Sequence, residues 1–136
     1  MILGIDYGTH MVGVAAADDE TRFARPLEVI DARKVDPIQR IGQLVDELGA
    51  SLVVVGRPLT LSGTAGPAVE SQTGFLGALR KRVGVPVVEH DERLTTVVAE
   101  QGMRAAQAGK AVRRRRRDAV AAQLMLQGYL DSEQNS

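Results

Sequence analysis

The sequence predicts an α/β fold: a five-stranded mixed sheet, an antiparallel meander of three strands followed by two parallel strands, flanked by helices. Three observations point to it. The first 30 residues hold three strand-like stretches separated only by short turns. After them, helix-like and strand-like stretches alternate, as they do when crossover helices join parallel strands. Finally, Ser51-Leu52-Val53-Val54-Val55 shows no polar–apolar alternation, which suits a strand buried on both faces of a parallel sheet.

Met1 to Ile5 is apolar, broken only by Gly4, and reads as a buried central strand ending in Asp6. Tyr7-Gly8-Thr9 is a tight turn. Val12 to Ala17 is a second strand and Asp18-Asp19-Glu20 an exposed turn. Phe23 to Ile30 is a third strand, which Pro26 restricts to an edge or a bulge because it lacks an N–H. A helix follows, with Asp36 as N-cap, Pro37 at its first position and Gly49 as C-cap. Ile38, Ile41, Leu44, Val45 and Leu48 supply its apolar stripe. Gly56-Arg57-Pro58 ends the fourth strand, and residues 59–66, rich in Gly, Ser and Thr, form a loop. A helix covers Pro67 to Arg82. Val85 to Val88 is a short strand with Asp91 and Glu92 just past its end. A further helix spans 94–107, Gln107 to Lys110 is a break, and the last helix runs from Arg113 to Leu130. Residues 1–130 make a single domain and 131–136 a disordered tail.

Composition narrows the chemistry. The absence of cysteine excludes disulfides, zinc–thiolate sites and thiol catalysis. Tyr7, Phe23, Phe75 and Tyr129 are the only aromatic residues, too few for base-stacking platforms. No basic region precedes an apolar stretch at the N-terminus, and no apolar run approaches the roughly 20 residues of a membrane helix. A cytoplasmic protein is expected. The net charge is zero but unevenly placed. Residues 1–79 carry 6 basic and 10 acidic side chains, residues 80–117 carry 11 and 4, and the remainder carries three acids alone. A basic segment inside a neutral chain suggests a local anionic partner.

Three groups of acids stand out. A carboxylate at the end of an apolar strand must be paired, protonated or bound to a cation. Asp6 meets that description; the alternative is that it hydrogen-bonds the following turn, where Gly8 allows the bend and leaves space above the carboxylate. Asp91 and Glu92 follow a different strand, and sites form just outside the carboxyl ends of parallel strands. Asp91 has an alternative role as N-cap of the next helix, and Glu92 as a charge near that helix's N-terminus. Asp118 follows five consecutive arginines, Arg113, Arg114, Arg115, Arg116 and Arg117, and opens the apolar stretch Ala119 to Leu126. It either points inward with Ala121, Ala122, Met125 and Tyr129 or balances the arginines. Acids gathered from distant parts of a chain suit hard divalent cations, Mg²⁺ or Mn²⁺, which take oxygen ligands. Two such ions about 4 Å apart activate water and stabilise the leaving oxygen of a phosphodiester. Arginines pair bidentately with phosphate. His10 and His90 have no partner at metal-ligand spacing.

Five segments carry a resemblance to a known family: Gly4-Ile5-Asp6-Tyr7-Gly8-Thr9, Val12-Gly13-Val14-Ala15, Val54-Val55-Gly56-Arg57-Pro58, Asp91-Glu92-Arg93-Leu94-Thr95-Thr96 and Asp118-Ala119-Val120-Ala121-Ala122. Together they resemble the YqgF/RuvX family of small bacterial proteins, described as pre-16S rRNA nucleases and Holliday junction resolvases. The resemblance covers roughly residues 1–130. It implies a ribonuclease H-like fold and divalent-metal hydrolysis of phosphodiester bonds. It further implies Asp6, Glu92 and Asp118 as catalytic, metal-binding acids, with Asp91 as a further metal ligand. Arg57, Arg93 and Arg113 to Arg117 are the expected nucleic-acid contacts. Two departures are visible. Junction resolvases of this fold place an acid near the end of the fourth strand, where this chain has Gly56-Arg57-Pro58, which leaves the metal count open. Members often carry Lys or Arg after the first Gly-Thr, where this chain has His10.

The leading expectation is a nuclease in 5′-end processing of pre-16S ribosomal RNA, acting on structured RNA. A resolvase of branched DNA is the alternative with the same chemistry, and its two symmetric cuts would need a homodimer. A non-catalytic nucleic-acid-binding protein is a third reading. Sugar kinases and actin-like ATPases open with a similar Gly-Ile-Asp-x-Gly-Thr string, but they need two such domains, and 136 residues supply one.

Overall fold

The computed structural model describes the backbone of residues 1–8, 10–57, 67–91 and 110–134, and their side chains except at 57, 67–71, 91, 110–118 and 134. Strands β1 (Ile2–Tyr7), β2 (Met11–Ala17) and β3 (Ala24–Asp31) precede helix α1 (Pro37–Leu48). Then come β4 (Leu52–Arg57), α2 (Pro67–Arg82), β5 (Val87–Asp91) and α3 (Lys110–Gln134). The sheet order is β3-β2-β1-β4-β5. β1 pairs antiparallel with β2, β2 antiparallel with β3, and β1, β4 and β5 run parallel, as expected.

Alternation along the strands divides the core into two layers. Leu3 and Ile5 of β1, Val12 and Val14 of β2, and Val53 and Val55 of β4 pack against Ile41, Leu44 and Val45 of α1 and Phe75, Leu76 and Leu79 of α2. Ile2, Ala15, Ala17 and Val54 pack on the other side against Ala122, Met125, Leu126 and Leu130 of α3. The valine run of β4 is therefore buried on both faces. Each fully buried aliphatic side chain contributes about 1.5–3 kcal/mol. Small residues face α3, and Gly4 is the extreme case: a Cβ there would stand 2.7 Å from Leu126 Cβ. The glycine that interrupts the first apolar run thus lets a helix lie directly on the central strand.

Helix α1 has the caps its sequence announces. The Asp36 side chain accepts from the Ile38 N–H at 3.0 Å. Gly49 adopts φ 63°, and its N–H is donated to the Val45 carbonyl. β3 is an edge strand. Its register steps from Glu28 opposite Val14 to Pro26 opposite Ala15, so Leu27 is the extra residue of a bulge beside the proline.

Several boundaries differ from expectation. β4 continues through Gly56 to Arg57, and β5 starts at Val87 and continues to Asp91, so Asp91 ends the strand rather than following it. The ladder carries both strands onward, since Gly56 pairs with His90 and Arg57 with Asp91; pairing outweighs the weak strand preference of glycine and aspartate. The last helix runs on to Gln134, into the segment expected to be a disordered tail. It is tied down there: the Tyr129 hydroxyl donates to Glu133 Oε1 at 2.7 Å, and Arg22 Nη2 lies 3.1 Å from Glu133 Oε2. The helix expected at 94–107 and the loop at 59–66 lie outside the described residues. No helix among the described residues is long and apolar enough to cross a membrane.

Candidate active site at the carboxyl edge of the sheet

β1, β4 and β5 end on the same edge of the sheet, and β2 starts there. Helix α3 runs against β1. Its late residues reach the opposite edge, where Gln127 Oε1 accepts from the Ala24 N–H at 2.9 Å and Glu133 meets Arg22. Leu126 covers Gly4 midway. The first turns of α3, with Arg113 to Arg117 and Asp118, therefore lead toward the edge where Asp6 stands.

Asp6 lies on the α3 face of β1, in the alternation of Ile2 and Gly4. It is half-buried. Its partner across the antiparallel ladder is Gly13. On the other side Ile5 pairs with Val55, so the next residue of β4, Gly56, lies beside Asp6. The carboxylate is thus flanked on both sides by residues without side chains. Gly8 allows the bend after β1, as its position suggested, and the cause is a cross-strand contact. Its N–H donates to the Met11 carbonyl at 3.0 Å, and a Cβ on Gly8 would stand 2.5 Å from that oxygen. Gly8 closes the β1–β2 hairpin; Gly13 and Gly56 are the ladder neighbours of Asp6.

Arg57 ends β4 opposite Asp91 at the end of β5. Asp91 shares the alternation of Val87, which packs in the α1–α2 layer, whereas His90 shares that of Val88, on the α3 side. Asp118 occupies α3 one turn before Ala122, whose carbonyl oxygen lies over Gly4. Glu92 and Arg93 lie outside the described residues. The backbone positions of Asp6, Arg57 and Asp91 thus meet at one edge, with the Asp118 end of α3 directed to it. Among the described residues no three His, Asp or Glu side chains form a cluster able to hold a metal ion. Glu92 and the side chains of Asp91 and Asp118 lie outside the described residues.

Three features near this edge escaped the sequence. Tyr7 stacks on Phe75, ring centroids 4.4 Å apart, beneath the end of β1. His90 packs edge-on against Tyr129 at 5.6 Å. Gln72 of α2, buried at 2% exposure, donates from Nε2 to the Gly56 carbonyl at 2.7 Å. A lone glutamine in a helix of mixed polarity carries no sequence signal for such a contact. His10 is exposed, and its carbonyl accepts from the Ala32 N–H at 2.8 Å. The side-chain hydrogen bond from Arg33 holds the Asp31 carboxyl below the usual range, assisted by the Arg33 backbone N–H. Burial, then the hydrogen bond to Glu133, pushes the Tyr129 hydroxyl up to about 12.

Comparison with known proteins gives the same fold. The chain resembles RuvC of Thermus thermophilus in complex with a Holliday junction substrate, with a TM-score of 0.60 at 19% identity over 98% of this chain and 94% of that one. It also resembles the Fowlpox virus resolvase in complex with Holliday junction DNA, with a TM-score of 0.59 at 10% identity over 97% of each chain. These likenesses identify the sheet and its helices as a ribonuclease H-like fold. Sequence relatives are nearer. A Chloroflexus aggregans protein is 43% identical over 98% of this chain and 95% of its own length. A Geobacillus kaustophilus protein is 40% identical over 96% of this chain and 97% of its own. Both are provisionally named pre-16S rRNA nuclease. The RuvX family model, described as Holliday junction resolvase, matches residues 1–132. With that match, and relatives at about 40% identity along nearly their full length, the chain belongs to the RuvX family.

Proposed function

We propose that this chain is a metal-dependent nuclease that hydrolyses phosphodiester bonds in 5′-end processing of pre-16S ribosomal RNA. The observation that carries the chemistry is Asp6 at the carboxyl end of the central strand, flanked by Gly13 and Gly56. An acid held on a rigid strand between two glycines suits an oxygen-ligating cation and a bulky phosphodiester better than it suits a packed core. The relatives' provisional name supports the choice of substrate.

Asp6, Glu92 and Asp118 would hold Mg²⁺ or Mn²⁺. When bound, such ions supply charge stabilisation to the phosphodiester under attack and to its leaving oxygen. The Asp-Glu-Arg-Leu-Thr-Thr string shared with the family supports Glu92 ahead of Asp91. Asp91 is then an outer ligand. Arg57, Arg93 and Arg113 to Arg117 bind the phosphate backbone, where the planar guanidinium gives bidentate contacts. A protein that acts on ribosomal precursors would work in the cytoplasm.

The family description and the likeness to junction-bound resolvases favour a second reading, cleavage of branched DNA. That reading requires a homodimer, because two strands are cut symmetrically. One experiment separates the two. A pre-rRNA 5′ fragment and a synthetic four-way junction are offered with Mg²⁺ or Mn²⁺ to wild type and to Asp6→Asn, and the solution mass is measured. Metal-dependent cutting of the RNA, lost in Asp6→Asn, is expected. Symmetric junction nicks by a dimer with intact RNA would reverse the ranking, and no metal-dependent cutting of either would overturn the nuclease itself.

A further inference from the structure

β3 runs in the direction of β1, since each is antiparallel to β2, and it ends at the edge where Asp6 stands. Asp6 pairs with Gly13 and Gly13 with Val29, so Val29 lies in the Asp6 row. Its neighbours fix the faces of β3. Glu28 bonds Arg40 of α1 and Ile30 packs in the α1–α2 layer, so Val29 and Asp31 face the Asp6 side of the sheet. Two strand spacings across and two residues along put the Cα of Asp31 about 12 Å from that of Asp6. The Asp31 carboxylate holds Arg33 in a fork: Nε donates to Oδ1 at 3.0 Å and Nη2 to Oδ2 at 3.2 Å. The Arg33 N–H also donates to Oδ1 at 3.0 Å, and the Ala32 N–H ties the turn to the β1–β2 hairpin through the His10 carbonyl. A guanidinium has five N–H donors in a planar fork. Asp31 occupies the Nε–Nη2 edge, and the side chain is still 59% exposed. The Nη1–Nη2 edge can therefore take a second bidentate partner, and phosphate is the anion whose geometry matches it. An exposed ion pair within one turn adds little to stability. What it does is fix where a cation stands.

We infer that Arg33 is a further phosphate-binding residue, with Asp31 as its positioning residue, and that it holds the nucleic-acid backbone a few nucleotides from Asp6. This inference rests on the nuclease reading above, and within it extends the contact surface to the β3–α1 turn. A strand carries one phosphate per about 3.4 Å of helix axis, so the separation from Asp6 corresponds to about three or four phosphates. Helix α3 packs over β2 and β3 as well as β1, which directs the backbone of its first turns, and the arginine run on them, to the same edge. A carboxylate beside a phosphate site repels the phosphate, so Asp31 helps binding only through its hold on Arg33. The sign of its effect is therefore diagnostic.

The test is a double-mutant cycle read by fluorescence anisotropy on a fluorescein-labelled RNA hairpin in EDTA, where no metal-dependent cut proceeds. Arg33→Gln should weaken binding about five- to tenfold and lower the slope of log affinity against log salt by about one. Lys34→Gln removes the same charge from the next residue, which is also exposed, and should cost less than about twofold. Asp31→Asn keeps an acceptor for the turn and removes a negative charge. It should weaken binding about two- to fourfold in the wild-type background and leave it unchanged or tighter in the Arg33→Gln background. Asp31→Ser, which also keeps an acceptor for the turn, is the second variant should Asp31→Asn not fold. A merely structural ion pair would move the melting temperature and leave the salt slope unchanged. Tighter binding by Asp31→Asn in the wild-type background, the same Asp31 effect in both backgrounds, or an Arg33→Gln loss no larger than that of Lys34→Gln would overturn the inference while leaving the nuclease reading standing. A wild type that binds neither the hairpin nor a four-way DNA junction would remove that reading, and the inference with it.

Discussion

Gly4 lies so close beneath Leu126 that a Cβ on the glycine would stand 2.7 Å from the leucine's own Cβ and 3.3 Å from the Ala122 carbonyl oxygen. This contact sets the height of α3 above the sheet, and with it the distance from the Asp118 end of the helix to Asp6. Gly4→Ala should destabilise the fold by about 1–3 kcal/mol, since both neighbours are fully buried and one of the contacted atoms is backbone. Gly4→Val should cost more. Urea unfolding monitored by circular dichroism measures it. An alanine variant as stable as wild type would show that α3 rides up without penalty.

Asp6→Asn keeps the shape of the side chain and removes its charge. The amide is nearly isosteric with the carboxylate and sits on the ladder between Gly13 and Gly56, so the fold should be preserved, as circular dichroism would show. Turnover should fall by about a thousandfold, equivalent to roughly 4 kcal/mol in the barrier. Wild type should also gain thermal stability on addition of Mg²⁺ or Mn²⁺, by mass action on the folded state, and the variant should gain less. Equal metal stabilisation of both proteins would exclude Asp6 as a ligand.

Much of this architecture is legible in the sequence because it is local. Asp36, Pro37 and Gly49 announce both ends of α1, the valine run announces β4, and Pro26 announces an irregular edge. The missed features are lateral. Whether Gly13 and Gly56 flank Asp6 depends on the registers of two ladders, which no single segment contains. The same holds for the ends of β4 and β5: Gly56, Arg57, His90 and Asp91 are poor or neutral strand formers that pair because their partner continues. The helical end of α3 is set by Arg22, more than a hundred residues away in the chain. Gly8 was correctly placed at a turn, but its cause, the approach of the Met11 carbonyl, is a cross-strand contact.

The tie between Tyr129 and Glu133 should give the protein an alkaline limit. The folded state holds the Tyr129 hydroxyl at about 12, above its ordinary value of 10.0, first through burial and then through the hydrogen bond to Glu133. A raised acid favours its protonated form, so the stabilisation is fully present below the unfolded value of about 10 and is lost as pH rises through the folded one. Thermal unfolding between pH 9 and about pH 12 should show a declining melting temperature. Tyr129→Phe should start lower, having lost the hydrogen bond, and decline less steeply. Parallel curves for the two proteins would assign the alkaline limit to another group.

The arginines at 113–117 should govern how strongly the protein responds to salt. Five successive residues on a helix go once around it, so only some can face a phosphate backbone that passes the Asp6 edge; the rest remain in water. Each arginine that neutralises a phosphate releases counterions and adds about one to the slope of log affinity against log salt, whereas a solvated arginine adds almost nothing. Single Arg→Gln changes at each of the five positions should therefore fall into two classes. Positions one turn apart, 113 and 117, should share a class, because they lie on the same side of the helix. Contacts to phosphate carry no base information, so each effective change should weaken binding to an RNA hairpin and to a four-way DNA junction by similar factors. Anisotropy titrations at several salt concentrations read both quantities. Five equal, small effects would mean that the run acts as a diffuse charge with no docked phosphate. An effect confined to one nucleic acid would mean that an arginine reads something beyond the backbone.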